Sequence, residues 1–181
     1  MEIQSLKDSL INIDLQTLQA AFSNFKCDKD EDIERFLTEY VVEYENKNVC
    51  RTFFVMDSKY PGEIIGYFSI GINVMHFEEQ LEIEEAYKGI NLYEDGYRPI
   101  YKLFMFGKNS LYPNAVKMAE IFNNELLEYI RDVQEYVGGE LMYIDCEPGE
   151  NNRLRKYYEK LGFTYYDKDS KNNLIRMIRK I

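Results

Sequence analysis

Phenol and amide side chains cluster in one short segment of this sequence, ENNRLRKYYEKLGF at Glu150–Phe163. A tyrosine hydroxyl has an ordinary pKa of about 10, so it can donate a hydrogen bond or a proton to an anion that develops beside it. An asparagine amide can accept and donate hydrogen bonds at the same time. Tyr157, Tyr158 and Asn152 are therefore the first candidates for a functional role.

The same segment predicts the helix that positions these side chains. Four apolar or aromatic residues recur at i, i+3, i+4 and i+7, which is one stripe of an amphipathic helix. Asn151 or Asn152 can cap its start, and Gly162 suits the left-handed residue that often follows a helix. Both tyrosines are equally compatible with packing on the buried face of this helix and with a role in a functional site. The stripe consists of Leu154, Tyr157, Tyr158 and Leu161.

Helices and strands are predicted along the rest of the chain. Helical periodicity predicts helices around Asp14–Phe25 and over Ile33–Tyr44. Proline fits the first turn of a helix, so Pro113 is predicted to begin a long helix that ends at Gly138-Gly139. The predicted strands are Arg51–Met56, Glu63–Val74, Pro99–Phe106, Glu140–Cys146, Phe163–Tyr166 and Leu174–Ile181, of which the first two form a hairpin.

Length and composition favour one compact cytoplasmic domain over residues 1–181. Apolar residues make up 45% of the chain, which is enough for a sizeable core. No apolar run approaches the roughly 20 residues that cross a bilayer, and the N-terminus shows no secretory signal. Cys27, Cys50 and Cys146 are odd in number and widely spaced, so we expect reduced thiols and no metal site.

The net charge of −10 bounds the choice of partners. An acidic surface repels a phosphate backbone unless a local basic patch overrides it, and it attracts a cationic amine. Nucleic acid is therefore an unexpected partner. An alternative interpretation is that the acidic residues serve only to keep the protein soluble. Acids concentrate in Glu78–Asp95, which we expect to be an exposed, inserted helix or loop.

The segment at Glu150–Phe163 resembles the last conserved block of the GNAT superfamily, the acetyl-CoA-dependent N-acyltransferases. That block usually reads N-x-x-A-x-x-F-Y-E-K-x-G-F. A weaker likeness to a bacterial branch lies at Phe25–Cys27, Phe36-Leu37 and Ile64–Phe68. The late block matches at Asn152, Tyr158, Glu159, Lys160, Gly162 and Phe163, and it departs at Leu154, where alanine is usual, and at Tyr157, where phenylalanine is usual.

The order of the predicted elements is similar to the GNAT fold along nearly the whole chain. The resemblance therefore implies an α+β (mixed α/β) architecture, with a central mixed, mostly antiparallel sheet flanked by helices. It also implies acetyl-CoA as co-substrate and an amine of a small molecule or peptide as acceptor. Proteins of this superfamily are often homodimers.

The resemblance further assigns roles to individual residues. Tyr158 occupies the position of the general acid that protonates the leaving thiolate. Asn152 is expected to contact the cofactor arm, and that arm is expected to pair with the backbone of Phe104, Met105 and Phe106.

The expected pyrophosphate loop departs from the family pattern, which is Q/R-x-x-G-x-G/A before a helix. Only Ala115 fits comfortably, and Ser110 stands where glutamine or arginine is usual. Pro113 replaces a glycine and has no N–H group to donate to a phosphate. We therefore expect weakened acetyl-CoA binding, which Lys108 or Lys117 would offset in part. The matching register is Ser110, Leu111, Tyr112, Pro113, Asn114 and Ala115.

No motif selects the general base. Glu63, Glu82, Glu84 and Asp145 are available by type. His76 is the single histidine, and we interpret it first as an ordinary surface or core residue.

Two other functions stay open beside N-acetyl transfer. The first is a GNAT-fold binding or regulatory module with impaired catalysis and weak or no acetyl-CoA binding, which the altered loop suggests. The second is a toxin-like acetyltransferase acting on charged tRNA, because the bacterial branch includes such toxins. The net charge of −10 argues against the second.

Overall fold

A computed structural model describes residues 1–77, 96–149 and 152–181, and the predicted acidic segment Glu78–Asp95 lies outside these ranges. The described strands are β1 Glu2–Ser5, β2 Arg51–Met56, β3 Gly66–His76, β4 Tyr97–Lys108, β5 Leu141–Cys146, β6 Thr164–Asp169 and β7 Leu174–Lys180. The described helices are α1 Leu6–Asn12, α2 Leu15–Asn24, α3 Glu31–Arg35, α4 Val41–Asn46, α5 Met118–Ile121, α6 Leu127–Val137 and α7 Arg153–Lys160. Two π-helical turns, Phe36–Tyr40 and Phe122–Leu126, join α3 to α4 and α5 to α6.

The strands form one mixed sheet in the order β1-β2-β3-β4-β5-β7-β6. β4 and β5 are parallel, with Tyr101 opposite Met142 and Lys102 opposite Tyr143. The pairs β1–β2, β2–β3, β5–β7 and β6–β7 are antiparallel, so the predicted hairpin of β2 and β3 is confirmed. The predicted mixed α/β class is confirmed as well. Within the described ranges, no helix combines the length and the hydrophobicity that crossing a bilayer requires.

The described chain divides into two compact units. Unit 1 comprises Met1–Gly71 and Leu103–Leu126, and unit 2 comprises Ile72–Lys102 and Leu127–Ile181. β3 and β4 each change unit along their length, so each strand contributes one end to each unit.

Unit 1 encloses an aromatic core around Tyr67. The Tyr67 ring is fully buried and meets Phe25 edge-on at 5.3 Å and Phe36 face-on at 6.5 Å between ring centroids. Its hydroxyl donates to the carbonyl oxygen of Ile33 at 2.5 Å, which satisfies the one polar group that burial would otherwise leave unpaired. The N-terminal residues that resemble a bacterial branch, including buried Leu37, are thus packing residues of this core.

Unit 2 packs the ends of its two long helices onto the sheet through polar contacts. The hydroxyl of Tyr101 donates to the carbonyl oxygen of Gly138 at 2.6 Å, just after α6. The guanidinium of Arg179 donates to the carbonyl oxygen of Leu161, just after α7. Met142 of β5 lies opposite Tyr101 of β4 on one side and opposite Arg179 of β7 on the other, and it is fully buried. Each helix end is therefore held by a side chain of a neighbouring strand.

Two short elements at the N-terminus were not predicted. β1 pairs with β2 from Glu2 opposite Met56 to Ser5 opposite Phe53, and α1 follows at once with Ser5 as its N-cap. Four strand residues and seven helical residues give too few periods for a pattern to emerge from the sequence. Their structure depends on β2, which lies about 50 residues away in sequence.

The predicted helix start at Pro113 is wrong, because α5 begins at Met118. Residues 113–115 form a turn instead, in which the N–H group of Ala115 donates to the carbonyl oxygen of Tyr112 at 3.1 Å. The ammonium group of Lys108 donates to the carbonyl oxygen of Pro113, and also to that of Val116 at 2.5 Å. These carbonyl groups therefore bind a lysine instead of receiving helical N–H groups. Proline is compatible with a first helical turn but does not require one.

Candidate active site

Tyr158 is fixed by the way in which α7 ends. Gly162 follows the helix with a left-handed φ of 84°, and its N–H group donates to the carbonyl oxygen of Glu159 at 3.0 Å. The N–H group of Phe163 donates to the carbonyl oxygen of Tyr158 at 3.0 Å, which completes a Schellman motif. The rings of Phe163 and Tyr158 meet edge-on at 5.9 Å, and Tyr158 is 4% exposed. The position of this phenol is thus set by the helix terminus.

Asn152 caps the other end of the same helix. Its Oδ1 accepts from the N–H group of Leu154 at 2.8 Å, and its Nδ2 donates to the carbonyl oxygen of Glu147 at 3.2 Å. The backbone N–H group of Asn152 donates to the carbonyl oxygen of Gly149 at 3.0 Å. The predicted cap is confirmed. Contact between Asn152 and a cofactor arm stays a prediction.

Two further groups of unit 2 lie near Tyr158 in sequence and carry raised pKa values. Burial raises the pKa of Tyr157 to about 12, and its buried hydroxyl makes no hydrogen bond with the described part of the chain. Burial, reinforced by Glu147, raises the pKa of the Cys146 thiol to about 11. Both groups are therefore protonated at neutral pH, and Cys146 is not suited to act as a nucleophile.

Phe104, Met105 and Phe106 lie in the part of β4 that belongs to unit 1, and all three are half-buried. Phe104 meets Tyr44 edge-on at 6.5 Å, and Phe106 meets Phe122 edge-on at 5.8 Å. Their side chains therefore belong to the packing of unit 1. Pairing of their backbone with a cofactor arm stays a prediction.

The loop Ser110–Ala115 uses most of its N–H groups internally. The N–H group of Ser110 donates to the carbonyl oxygen of Lys26 at 2.7 Å, and that of Leu111 donates to Asn109 Oδ1 at 3.1 Å. The N–H groups of Tyr112 and Ala115 donate to carbonyl oxygens within the loop region, at 3.2 Å and 3.1 Å. Pro113 has none. Among the six residues, Asn114 alone keeps an N–H group that makes no hydrogen bond with the described residues.

Asn109, which the sequence did not single out, holds this loop in place. It is fully buried, and its Nδ2 donates to the carbonyl oxygen of Ile64 at 2.8 Å. Its Oδ1 accepts from the N–H groups of Lys26 at 3.3 Å and Leu111 at 3.1 Å. One amide thus joins the loop to two other segments of unit 1. The only signal in the sequence is an asparagine that directly follows a strand. Its burial, which makes it important, is not visible in the sequence.

The two lysines that were expected to offset the proline are engaged within the loop and helix. Lys108 binds the carbonyl oxygens of Pro113 and Val116, and burial together with the nearby charge of Lys29 lowers its pKa. The ammonium group of Lys117 pairs with Glu120 at 3.0 Å on the surface. A phosphate would have to compete with these partners for either lysine.

The described candidates for a general base have other partners. Asp145 Oδ2 accepts from the Lys102 ammonium group at 2.8 Å, and Asp145 Oδ1 lies 3.8 Å from Arg176 Nε. Burial alone would lower the pKa of Lys102, but its hydrogen bond to Asp145 raises that pKa overall, so Lys102 is protonated at neutral pH. His76 is exposed, and its ring meets Tyr97 at 4.7 Å between centroids. Glu82 and Glu84 lie outside the described residues.

Comparison with solved structures gives matches along nearly the whole chain. AtaT in complex with acetyl-methionyl-tRNAfMet is 15% identical, with a TM-score of 0.66 over 99% of this chain and 94% of that chain. A tyrosine-to-phenylalanine mutant of KacT is 12% identical, with a TM-score of 0.70 over the same shares. A tyrosine-to-phenylalanine mutant of the AtaT toxin, bound to the C-terminus of the antitoxin AtaR and acetyl-CoA, is 14% identical, with a TM-score of 0.66 over 99% and 92%.

The chain has the GNAT fold of these toxins. The fold that the late sequence block implied is therefore confirmed. At identities of 12–15% the likeness shows the GNAT fold and nothing finer. No family model matches the sequence, and no curated protein matches it.

The predicted site residues divide between the two units. Asn152 and Tyr158 lie on one helix of unit 2, whereas Phe104–Phe106 and Ser110–Ala115 belong to unit 1. In unit 2 the structure brings together a helix cap and a fixed phenol, and in unit 1 it brings together an apolar strand and a loop whose N–H groups are largely occupied.

Proposed function

We propose that this protein is an N-acetyltransferase that uses acetyl-CoA as co-substrate and an amine as acceptor. One observation carries the proposal: Tyr158 is held on the GNAT-fold helix by a Schellman motif that fixes both its backbone and its ring. An AtaT structure that contains acetyl-CoA supports the choice of co-substrate. Two neighbours are tyrosine-to-phenylalanine mutants, which agrees with an important tyrosine in this fold.

In the proposed reaction, acetyl-CoA supplies an activated acyl group in the form of a thioester. The amine nitrogen forms a bond to the acyl carbon, and the bond from that carbon to sulfur breaks. The hydroxyl of Tyr158 donates its proton to the departing sulfur and regains one from solvent. The proton that the amine loses passes to water, since the described carboxylates Glu63 and Asp145 are not selected by the geometry. A neutral phenol stabilises the developing charge on sulfur because it can donate without itself being charged.

This chain fits the thioester end of acetyl-CoA better than it fits the pyrophosphate. The phenol and the cap of α7 suit the thioester end and the arm. The N–H groups of Ser110, Leu111, Tyr112 and Ala115 do not suit the pyrophosphate, because other acceptors already occupy them. We therefore expect the anion to bind C-terminal to Pro113, toward Asn114 and the start of α5.

The acceptor amine belongs to one of two classes. The sequence suggested a small molecule or a peptide, to which the acidic surface is suited. AtaT, in contrast, was captured with acetyl-methionyl-tRNAfMet, in which the amine is carried by RNA. A screen for release of free CoA thiol should therefore include both small amines and aminoacyl-tRNA.

The experiment that tests the proposal compares Tyr158→Phe with the matched control Tyr157→Phe. Phenylalanine keeps the ring that packs on Phe163, so the fold persists while the proton donor is lost. We expect kcat to fall about 10- to 100-fold for Tyr158→Phe, with the KM for acetyl-CoA little changed. Tyr157→Phe should leave kcat unchanged, since it removes a hydroxyl that has no partner among the described residues.

Titration calorimetry with acetyl-CoA and desulfo-CoA comes before this comparison. Low-micromolar binding to the wild-type protein supports the enzyme. Equal kcat values for the wild type and Tyr158→Phe would refute the role of Tyr158 without touching the fold.

A second candidate function is a GNAT-fold binding or regulatory module. The observation that favours it is the occupied set of N–H groups in Ser110–Ala115, which leaves few donors for a pyrophosphate. Failure of acetyl-CoA to bind at millimolar concentration would establish this candidate over the enzyme.

A further inference from the structure

Two tyrosines from different loops form an aromatic pair on the surface of unit 1. The rings of Tyr60 and Tyr112 lie 4.7 Å apart between centroids, with an angle of 44° between their planes. Tyr60 belongs to the loop between β2 and β3, and Tyr112 belongs to the loop that follows β4. Both residues are half-buried, so part of each stays accessible to solvent. We call these two residues the tyrosine pair.

Each member of the tyrosine pair is held by two consecutive turns of the backbone. The N–H group of Tyr60 donates to the carbonyl oxygen of Asp57 at 2.9 Å, and that of Tyr112 donates to the carbonyl oxygen of Asn109 at 3.2 Å. The carbonyl oxygens of both tyrosines accept in turn from the N–H groups three residues further on, at 3.1 Å in each case. The backbone that carries the rings is therefore ordered before any ligand binds, which reduces the entropy that binding costs.

The neighbours of the tyrosine pair in sequence are apolar and exposed. Pro61 follows Tyr60, whereas Leu111 and Pro113 flank Tyr112. Leu111 is 58% exposed. Aromatic rings with apolar neighbours suit a flat ligand whose faces are weakly hydrated. A nucleic-acid base has two such faces, and it stacks on aromatic side chains whatever its identity.

Groups that attract an anion lie in the same loop region as Tyr112. Lys108 binds two carbonyl oxygens of this region, and burial together with the nearby charge of Lys29 lowers its pKa. Two like charges are thus held near each other, and an anion beside them relieves their repulsion. Asn114, whose N–H group makes no hydrogen bond with the described residues, follows Tyr112 by two positions, so their Cα atoms lie within about 7 Å. A phosphate bound here therefore lies next to the tyrosine pair.

Glu63 adds a carboxylate beside the tyrosine pair. Burial raises the pKa of the Tyr112 hydroxyl, and the nearby charge of Glu63 raises it further. An ionised carboxylate accepts hydrogen bonds and donates none. Adenine carries an amino donor at the position where guanine carries a carbonyl acceptor. A carboxylate at this place therefore favours adenine over guanine.

We propose that the tyrosine pair stacks on the adenine base of acetyl-CoA. This inference rests on the proposed acetyltransferase function and names the residues that hold the nucleotide half of its co-substrate. A single ribose joins the adenine of acetyl-CoA to the pyrophosphate, so a pyrophosphate bound toward Asn114 leaves the base within reach of both rings. Stacking then offsets part of the affinity that is lost because few N–H groups of Ser110–Ala115 can donate to the phosphates.

The test uses two probes that divide the co-substrate between them. Adenosine 3′,5′-bisphosphate contains the base, and acetyl-4′-phosphopantetheine lacks it. Titration calorimetry measures the affinity of the full chain for each probe and for acetyl-CoA. Tyr60→Ala should lower the affinity for acetyl-CoA and for adenosine bisphosphate by about 5- to 150-fold, the range expected for loss of one stack between a base and an aromatic ring. Its affinity for acetyl-phosphopantetheine should not change.

Control variants show whether the ring itself is responsible. Tyr60→Phe keeps the ring and should retain the wild-type affinity for all three ligands. Tyr40→Ala removes a tyrosine of unit 1 that is 40% exposed and also belongs to a ring pair, at 6.3 Å from Tyr44 between centroids. It should change none of the affinities. Tyr112→Ala should repeat the result of Tyr60→Ala from the other loop, and far-UV circular dichroism checks that each variant is folded.

Several results would overturn the proposal. They are equal affinities of the wild type and Tyr60→Ala for adenosine bisphosphate, an equal loss in Tyr40→Ala, or an equal loss for acetyl-phosphopantetheine, which would make the effect structural. Failure of adenosine bisphosphate to displace acetyl-CoA would assign the tyrosine pair to a separate nucleotide. Tighter binding of a proline-rich peptide than of adenosine bisphosphate would assign it to a protein partner. Tighter binding of GMP than of AMP would refute selection of the base by Glu63.

Failure of this inference can be distinguished from failure of the proposed function. Binding of acetyl-CoA and acetyl transfer that do not depend on Tyr60 would refute the stacking site alone. Binding of adenosine bisphosphate through Tyr60, without CoA release in the presence of any amine, would support the stacking site and refute the enzyme. Absence of binding by either nucleotide at millimolar concentration would refute both.

Discussion

Asn109 shows how one buried side chain can organise a loop at the residue scale. It is fully buried and forms hydrogen bonds with Ile64, Lys26 and Leu111. The loop N–H groups that the family pattern assigns to a phosphate are directed inward partly through this amide. The geometry of the candidate anion site is therefore decided by a residue that would not itself touch the anion.

Replacement of Asn109 by alanine should cost about 2–4 kcal/mol of unfolding free energy, because it leaves the buried carbonyl oxygen of Ile64 and two part-buried N–H groups without partners. The matched control is Asn123→Ala, which removes an exposed amide that donates to the carbonyl oxygen of Ala119 at 2.9 Å. That control should cost less than about 0.5 kcal/mol. Urea denaturation measures both, and similar midpoints for the two variants would contradict the anchoring role.

At the scale of elements, helix α7 is the part of the molecule in which sequence, backbone and chemistry agree. Its cap and its glycine terminus were expected from ENNRLRKYYEKLGF and were found. Of the predicted apolar stripe, Tyr158 and Leu161 are buried, whereas Leu154 is exposed. The Schellman motif links Gly162 to the ring of Tyr158 through Phe163. Disturbing the helix terminus should therefore disturb the proposed proton donor.

Gly162→Ala tests this link against Gly62→Ala. Both glycines have a left-handed φ, 84° and 80°, and neither has another atom within 3.4 Å of an added Cβ. Each substitution should therefore cost about 1 kcal/mol from backbone strain alone. Only Gly162→Ala should also lower kcat. Equal kcat values with equal losses of stability would show that the helix terminus does not position Tyr158.

At the scale of the whole molecule, two compact units share two strands. β3 and β4 each pass from one unit to the other without a break. We therefore propose that the chain unfolds as one domain of residues 1–181, as its length suggested. Neither unit contains the whole of β3 or β4, so we expect the two units to unfold together.

Thermal unfolding should accordingly show one transition, with the calorimetric enthalpy equal to the van't Hoff enthalpy. Near-UV circular dichroism and hydrogen exchange report on both units, because tyrosines and buried strands occur in each. Two separated transitions, or a calorimetric enthalpy well above the van't Hoff value, would show that the units are independent domains.

The sequence determined those elements whose signals are local. β2 and β5 have strong apolar runs, and they lie where the sequence predicted them to within a residue. The GNAT fold followed from the order of these elements together with the late block. Residues 152–181 are basic and residues 1–151 are acidic. This contrast was also present in the sequence, but the net charge of the whole chain conceals it.

The tertiary structure decided the features that depend on distant partners. β1 exists because β2 pairs with it. α5 begins at Met118 because Lys108 and Tyr112 bind backbone groups of the non-helical residues 113–116. The inward N–H groups of the loop depend on Asn109, whose partners lie 45 and 83 residues away. A hydrogen bond of that separation leaves no period or spacing in the sequence, since it forms only when folding brings its two groups together.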